Sequence, residues 1–375
     1  MNYRLTAPCH FGLEKTLAFE IGRAGGENIE SHDGRVDFGG DEAVIARANI
    51  TSSVAERIGI VLASFEAKSF DDIFYALQAV PIEEYASRND KIHIVKGHSL
   101  NSALTSIPAI QRTIKKAFVL RMQEKYHLTT LPETGAALPI HFLLMKDRIT
   151  VTLDTSGAGL HKRGYRARSN AAPIKETLAA GLVHLARVRE SDTVVDPFCG
   201  SGTILIEAAM KAAGIAPGMN RHFAAEEWGF MDRSVWTDAF AEARAAVKKD
   251  CPFRAFGYDL DGEAVDLTNE NAEKAGVSEY LTVKKRAIRD FYPPEPKIKM
   301  ITNPPYAQRM GETAEAHEIY RTMGERLLPL GENELYVITS DGEFETLFGE
   351  KAGKNRKLYN GMLQCRLYSY RENRK

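Results

Sequence analysis

Hydrophobic spacing divides the chain into two patterns. Up to about residue 155, short alternating runs are mixed with helical ones. Tyr3-Arg4-Leu5-Thr6-Ala7 alternates as a strand, and residues 13–21 carry apolar side chains at helical spacing before Gly22. Residues 28–32 and 35–38 predict a hairpin around Asp33-Gly34. Asp41 is placed to cap the helix after it, and residues 70–77 predict another helix. Residues 91–96 alternate as a strand. Ser106-Ile107-Pro108 opens a helix to about Tyr126, and 140–145 with 148–154 predict a second hairpin around Lys146-Asp147. Residues 156–172, rich in Gly, Arg and Lys, predict a flexible basic link. From about 173 the pattern becomes helix–strand–helix–strand, as in an open α/β sheet.

Length and composition narrow the class. The 375 residues suit two or three domains. With 44 % hydrophobic and 26 % charged residues, disorder and coiled coil are excluded. No run of about 18 apolar residues spans a membrane, and the N-terminus lacks the form of a secretory signal. The cysteines Cys9, Cys199, Cys251 and Cys365 are scattered, so neither a disulfide framework nor a metal site is expected and a reducing cytoplasm fits. The net charge of −1 hides a split. Residues 1–90 hold 8 basic and 15 acidic side chains, whereas 91–170 hold 13 basic and 4 acidic, a net of +9. A bias over 80 residues points to a nucleic-acid-facing patch, with Lys115, Lys116, Lys162, Arg163, Arg166 and Arg168 as candidate backbone contacts.

The most informative stretch is Asp196-Pro197-Phe198-Cys199-Gly200-Ser201-Gly202-Thr203, between the buried strand Thr193-Val194-Val195 and a helix running to Ala213. Glycines let the backbone approach a ligand, and a helix N-terminus offers free N–H groups. A dinucleotide loop requires a third glycine where Leu205 stands. Asp196 repels phosphate and attracts a cation, so S-adenosylmethionine, with its ammonium and sulfonium, fits better than NAD. Asp259 and Leu260 follow the second strand, where Asp259 is placed for ribose hydroxyls. Asp290 follows a third, facing the adenine amino group.

Lys299-Met300-Ile301-Thr302-Asn303-Pro304-Pro305-Tyr306 stands where the fourth strand should end. An amine conjugated to a ring has a delocalised lone pair. The Asn303 amide oxygen and the Pro304 carbonyl can accept its two hydrogens and aim that lone pair at a methyl group. Pro305 stiffens the loop, and Tyr306 can stack on an unstacked base. No nucleophile or metal is needed.

Together these residues resemble class I S-adenosylmethionine methyltransferases acting on amino nitrogens. With Leu160-His161-Lys162-Arg163-Gly164-Tyr165-Arg166 and Ala172-Pro173-Ile174-Lys175-Glu176-Thr177-Leu178-Ala179, nearly the whole chain resembles the THUMP-domain RNA methyltransferases. It is similar to the bacterial family related to the N2-guanine half of a bifunctional 23S rRNA enzyme. The resemblance implies an α/β, Rossmann-like catalytic domain at 173–375 after a basic linker at 156–172. It also implies a THUMP RNA-binding domain at 46–155 and a ferredoxin-like extension at 1–45. It assigns residues 196–203 to the methionine part of the cofactor, Asp259 to ribose, Asp290 to adenine and Thr177 to a supporting contact. Asn303, Pro304, Pro305 and Tyr306 form the amine site. The implied partner is structured RNA, 23S rRNA or a pre-ribosomal particle. The implied product is N2-methylguanosine, with guanine resting on the resemblance alone. A tRNA substrate, a protein glutamine, and RNA binding without catalysis are the alternatives. Residues 211–250, with Trp228 and Trp236, are expected to form a helical insertion packed on the sheet.

Overall fold

The computed structural model describes residues 1–166, 174–306, 312–331, 333–361 and 363–370. Its strands are β1 (Tyr3–Pro8), β2 (Glu27–His32), β3 (Arg35–Gly40), β4 (Gly59–Glu66), β5 (Lys91–Leu100), β6 (Ala137–Met145) and β7 (Arg148–Asp154), then β8 (Thr193–Asp196), β9 (Arg254–Asp259), β10 (Leu281–Lys285), β11 (Lys299–Thr302), β12 (Glu334–Thr339), β13 (Lys354–Asn360) and β14 (Leu363–Tyr370). The helices are α1 (Glu14–Arg23), α2 (Glu42–Thr51), α3 (Phe70–Gln78), α4 (Ile107–Tyr126), α5 (Glu176–Leu185), α6 (Thr203–Ala213), α7 (Arg233–Ala245), α8 (Gly262–Lys274), α9 (Glu312–Leu327) and α10 (Phe344–Phe348). Among the described residues no helix is long and apolar enough to cross a membrane.

The first sheet runs β2-β3-β1-β4-β7-β6-β5. Neighbours pair antiparallel except β5 with β6, which the long crossover helix α4 permits to run parallel. The Asp41 cap forms: its carboxylate accepts the Val44 N–H at 2.9 Å. The second sheet runs β10-β9-β8-β11-β12-β14-β13, with β8 to β12 parallel and β14 antiparallel to both its neighbours. The strand order reverses between β8 and β11. That reversal leaves a crevice at their carboxyl ends, where open α/β sheets take their ligands.

One core cluster runs from the first sheet into the second, and the second sheet carries a further cluster of its own around Tyr320 and Phe344. Leu13 presses on α5 so closely that a Cβ on Gly181 would lie 2.3 Å from its Cδ1. The insertion packs differently from expectation. It covers the N-terminal half instead of the second sheet: α7 lies on α2, and the buried Trp228 donates its indole N–H to the Ala137 carbonyl on β6 at 3.1 Å. Trp236 stacks on Phe223 at 5.2 Å. Burial of these aromatics fastens the insertion to the N-terminal half.

Residues 156–166 are not the flexible link that their composition suggests. Arg221 of the insertion donates to the carbonyls of Ala158, Gly159, Lys162 and Ser156, the last three at 2.9, 3.2 and 3.4 Å. Four carbonyls on one guanidinium fix the path of that segment.

Candidate active site

The cofactor-type loop leaves β8 at Asp196, which is buried. Its Oδ1 accepts the Thr302 hydroxyl at 2.7 Å and the Phe198 N–H at 3.0 Å. Burial nevertheless pushes the carboxyl up to about 7, and the Asp259 charge adds to the rise. Gly202 caps α6 with φ +76°, where a Cβ would lie 2.4 Å from Thr268 Cγ2. Helix α8 grips the loop from outside, Thr268 donating to the Gly200 carbonyl at 2.8 Å and Asn271 to that of Ser201 at 3.0 Å. Ser201 and Thr203 pair hydroxyls at 3.1 Å, and Phe198 packs half-buried on the core. Cys199 is buried, which pushes its thiol up and keeps it an unreactive packing residue.

Asp259 faces this loop from the end of β9. Its Oδ2 accepts the Gly200 N–H at 2.9 Å and its Oδ1 the Asp261 N–H at 3.0 Å. Each oxygen keeps further acceptor capacity, which suits a ligand's hydroxyls. Two carboxylates beside a helix N-terminus accommodate a ligand carrying both cationic and hydroxyl groups. Leu260 is exposed. Asp290 does not end a strand: β10 stops at Lys285, and Asp290 lies exposed in the short 3-10 turn Ile288–Asp290. Between them Arg286 lies against the rings of Tyr258 and Tyr292, at 4.6 and 4.0 Å.

The loop after β11 enters the same crevice. Thr302, one residue before Asn303, is the atom-level bridge to Asp196. Pro304 is buried and Pro305 exposed. Tyr306 is turned onto Asn303, donating its hydroxyl to Oδ1, while Asn360 Nδ2 reaches Tyr306 Oη at 3.5 Å. Burial pushes the Tyr306 phenol up, so it keeps that proton. The acceptor oxygen is therefore capped in this structure. Behind the loop, Tyr320 of α9 donates to the Pro305 carbonyl at 3.2 Å. Sequence reasoning missed Thr302, Thr268, Asn271, Tyr320 and Asn360. Thr302 alone carried a local signal, its adjacency to Asn303.

Other expectations need correcting. Thr177 is buried, and its hydroxyl is engaged by Glu56 and by His10 Nε2 at 3.3 Å, so it serves the seam between the halves. Arg163 is buried against Glu207, at 3.4 Å, and donates to the Leu160 and Ser53 carbonyls at 2.6 and 2.5 Å. Arg166 donates to the Thr203 hydroxyl at 2.6 Å and the Ile174 carbonyl at 3.0 Å, with Glu176 at 3.5 Å. Neither guanidinium faces a nucleic acid; both fasten the link to α6, because burial demands that each charge be paired. Lys115 is partly exposed with Glu133 at 3.1 Å, Lys116 lies over Phe74 at 5.4 Å and Lys162 is exposed. Arg168 lies outside the described residues.

Comparison with known proteins adds findings of three kinds. Residues 163–369 match the family described as "RMKL-like, methyltransferase domain", and residues 4–59 match the RlmL ferredoxin-like domain. The chain is 40 % identical over 371 residues to YpsC of Bacillus subtilis (strain 168), named as a candidate RNA methyltransferase, covering 98 % of this chain and 96 % of that one. It is 32 % identical over 377 residues to the ribosomal RNA large subunit methyltransferase K/L of Shewanella sp. (strain W3-18-1), covering 99 % of this chain but only 53 % of that protein, so it spans about half the length of such relatives. Among solved structures, SMU.472, a methyltransferase candidate complexed with SAH, superposes with a TM-score of 0.94 at 36 % identity, over 100 % of this chain and 99 % of that one.

Proposed function

Because the chain belongs to the RMKL-like methyltransferase family, we propose that it is an S-adenosylmethionine-dependent RNA methyltransferase acting on an exocyclic base amine, guanine N2 of 23S rRNA. The observation that carries this reading is the 2.7 Å bond from Thr302 to Asp196, which joins the cofactor-type loop to the Asn303–Tyr306 loop in one crevice. The SAH found with a protein 36 % identical to this one supports the choice of cofactor. The names of the relatives support RNA, and among them the ribosomal one.

S-adenosylmethionine, when bound, supplies a methyl group on a sulfonium. The residues of this chain do the rest by position and charge. Asp196 attracts the cationic part of the cofactor, Asp259 accepts its ribose hydroxyls, and Asp290 is assigned to its adenine. The two amine N–H groups donate hydrogen bonds to Asn303 Oδ1 and the Pro304 carbonyl, which turns the nitrogen lone pair outward and stabilises the charge it gains, and one of those protons is lost to water once the nitrogen carries the methyl group. An incoming amine takes the place of the Tyr306 hydroxyl on Asn303, one hydrogen bond replacing another. That exchange frees the Tyr306 ring to stack on the base. The N-terminal half, read as a ferredoxin-like extension and a THUMP region, holds the RNA through exposed cations such as Lys115, Lys116 and Lys162.

The test uses total RNA from a strain lacking the gene, incubated with the protein and methyl-labelled S-adenosylmethionine, then digested to nucleosides. Label is expected in N2-methylguanosine from 23S rRNA. Asn303→Ala should abolish transfer and leave cofactor affinity within about twofold, since it removes a contact made to the reacting group alone. Label in tRNA would redirect the substrate. No label in any nucleoside, with cofactor bound, would overturn the reading.

A further inference from the structure

What aims Pro304 and Tyr306 is a separate question from what they touch. Two pyrrolidine rings hold φ of Pro304 and Pro305 near about −65°. A proline also keeps the residue before it extended, which sets ψ of Asn303 and of Pro304. Between the α-carbons of Asn303 and Pro305 every torsion is thus restricted, and ψ of Pro305 is the first soft one beyond them. That torsion turns the Pro305 carbonyl and sets the direction in which Tyr306 leaves the loop.

The Pro305 carbonyl accepts from Tyr320 Oη at 3.2 Å. Tyr320 is fully buried, its ring edge-on to Phe344 at 5.1 Å. Burial pushes its phenol up to about 12, so the proton stays. A phenol has one hydrogen, and a carbonyl can only accept. That hydrogen is spent on Pro305, so the buried Thr339 hydroxyl, 3.1 Å away, must donate to Tyr320 Oη. Thr339 Oγ1 accepts in turn from the Asp341 N–H at 3.1 Å, and Asp341 Oδ2 holds His317 Nε2 at 3.0 Å. The bonds from Thr339 to Tyr320 and from Tyr320 to Pro305 therefore run in one direction, and the first polarises the second.

We propose that Tyr320 is the positioning residue of the amine site: its hydroxyl, backed by Thr339, locks the Pro305 torsion and so aims Tyr306 relative to Asn303 and Pro304. The consequence for turnover rests on the proposed function; the consequence for the loop does not. Tyr320→Phe keeps the buried ring and deletes the lock. In a crystal structure of this variant the Pro305 carbonyl should turn away from residue 320 and the Tyr306–Asn303 contact should be lost. In methyl transfer, kcat should fall about tenfold while KM for RNA and cofactor affinity stay within about twofold, the pattern of a misaimed group. Thr339→Val should lower kcat less, and the double variant should be no worse than Tyr320→Phe alone. An unchanged loop, or an unchanged kcat, overturns the proposal. A wild-type protein that methylates no RNA overturns the proposed function instead, and the loop geometry of the variant still decides the part played by Tyr320.

Discussion

Asp196 is a carboxyl group balanced between its two states. Burial raises it to about 7 from its ordinary 3.8, against the Thr302 and Phe198 hydrogen bonds that favour the charged form. In the folded protein it holds its proton to a higher pH than in the unfolded chain. It therefore subtracts stability as pH rises from about 4 to 7, and its full cost is present above 7. A cationic ligand reverses the preference, because the ligand favours the carboxylate. Binding of S-adenosylmethionine should expel a proton below about pH 7, so affinity should strengthen from pH 6 to 8 and then level. Calorimetry in buffers of different ionisation enthalpy measures that proton directly. Asp196→Asn should flatten the dependence, and a flat wild-type profile would contradict the assignment.

At the scale of elements, the turn into α6 is held by a mutual fit between Gly202 and Thr268. Gly202→Ala would force a methyl group to 2.4 Å from Thr268 Cγ2 in a backbone of φ +76°. Strain of this kind costs about 1–3 kcal/mol. The urea midpoint should fall accordingly, and cofactor affinity should fall with it, because Thr268 also holds the Gly200 carbonyl. A variant with wild-type affinity would show that the turn is not part of the site. Turns such as this were legible because their chemistry is local: buried β-branched residues, then glycine, then strong helix formers. Strands β8, β9 and β11 end at Asp196, Asp259 and Thr302, where the sequence pattern places them. The end of β10 was not legible. It is a short edge strand: Leu281 and Val283 alternate with Thr282 and Lys284 for only a few residues, too few to mark where it stops, and Asp290 passed for a strand end. Arg163 and Arg166 misled for another reason. In a Gly-rich run a cation reads as solvated, and the Arg163 partners Glu207 and Ser53 lie 44 and 110 residues away. Only the tertiary fold brings them together. The same applies to Tyr320 and Thr339, which look like ordinary core residues of a helix and a strand.

The whole molecule is joined by the contacts that removed those arginines from the surface. The Arg163 and Glu207 side chains are each 2 % exposed, and Glu207 also accepts the Tyr165 hydroxyl at 3.0 Å. Removing one partner strands a buried charge, which typically costs about 3–5 kcal/mol. Arg163→Ala should lower the urea midpoint of both halves together, because the core is shared. Both tryptophans, Trp228 and Trp236, lie in the insertion that covers the N-terminal half. Their fluorescence therefore reports the packing of the insertion on the N-terminal half, and far-ultraviolet circular dichroism reports the whole chain. The two signals should change in one coincident transition, whereas separated transitions would show that the halves fold independently.

The insertion's grip on the link has a further meaning once the chain is regarded as a measuring instrument. Two jaws joined through a common core cluster and clamped at residues 156–166 hold one span. On the proposed reading, an RNA gripped along α4, near Lys115 and Lys116, offers to the crevice only what lies one fixed reach away. The molecule then works as a calliper: it selects its nucleotide by distance from a grip on the backbone, and the neighbouring bases need not be read at all.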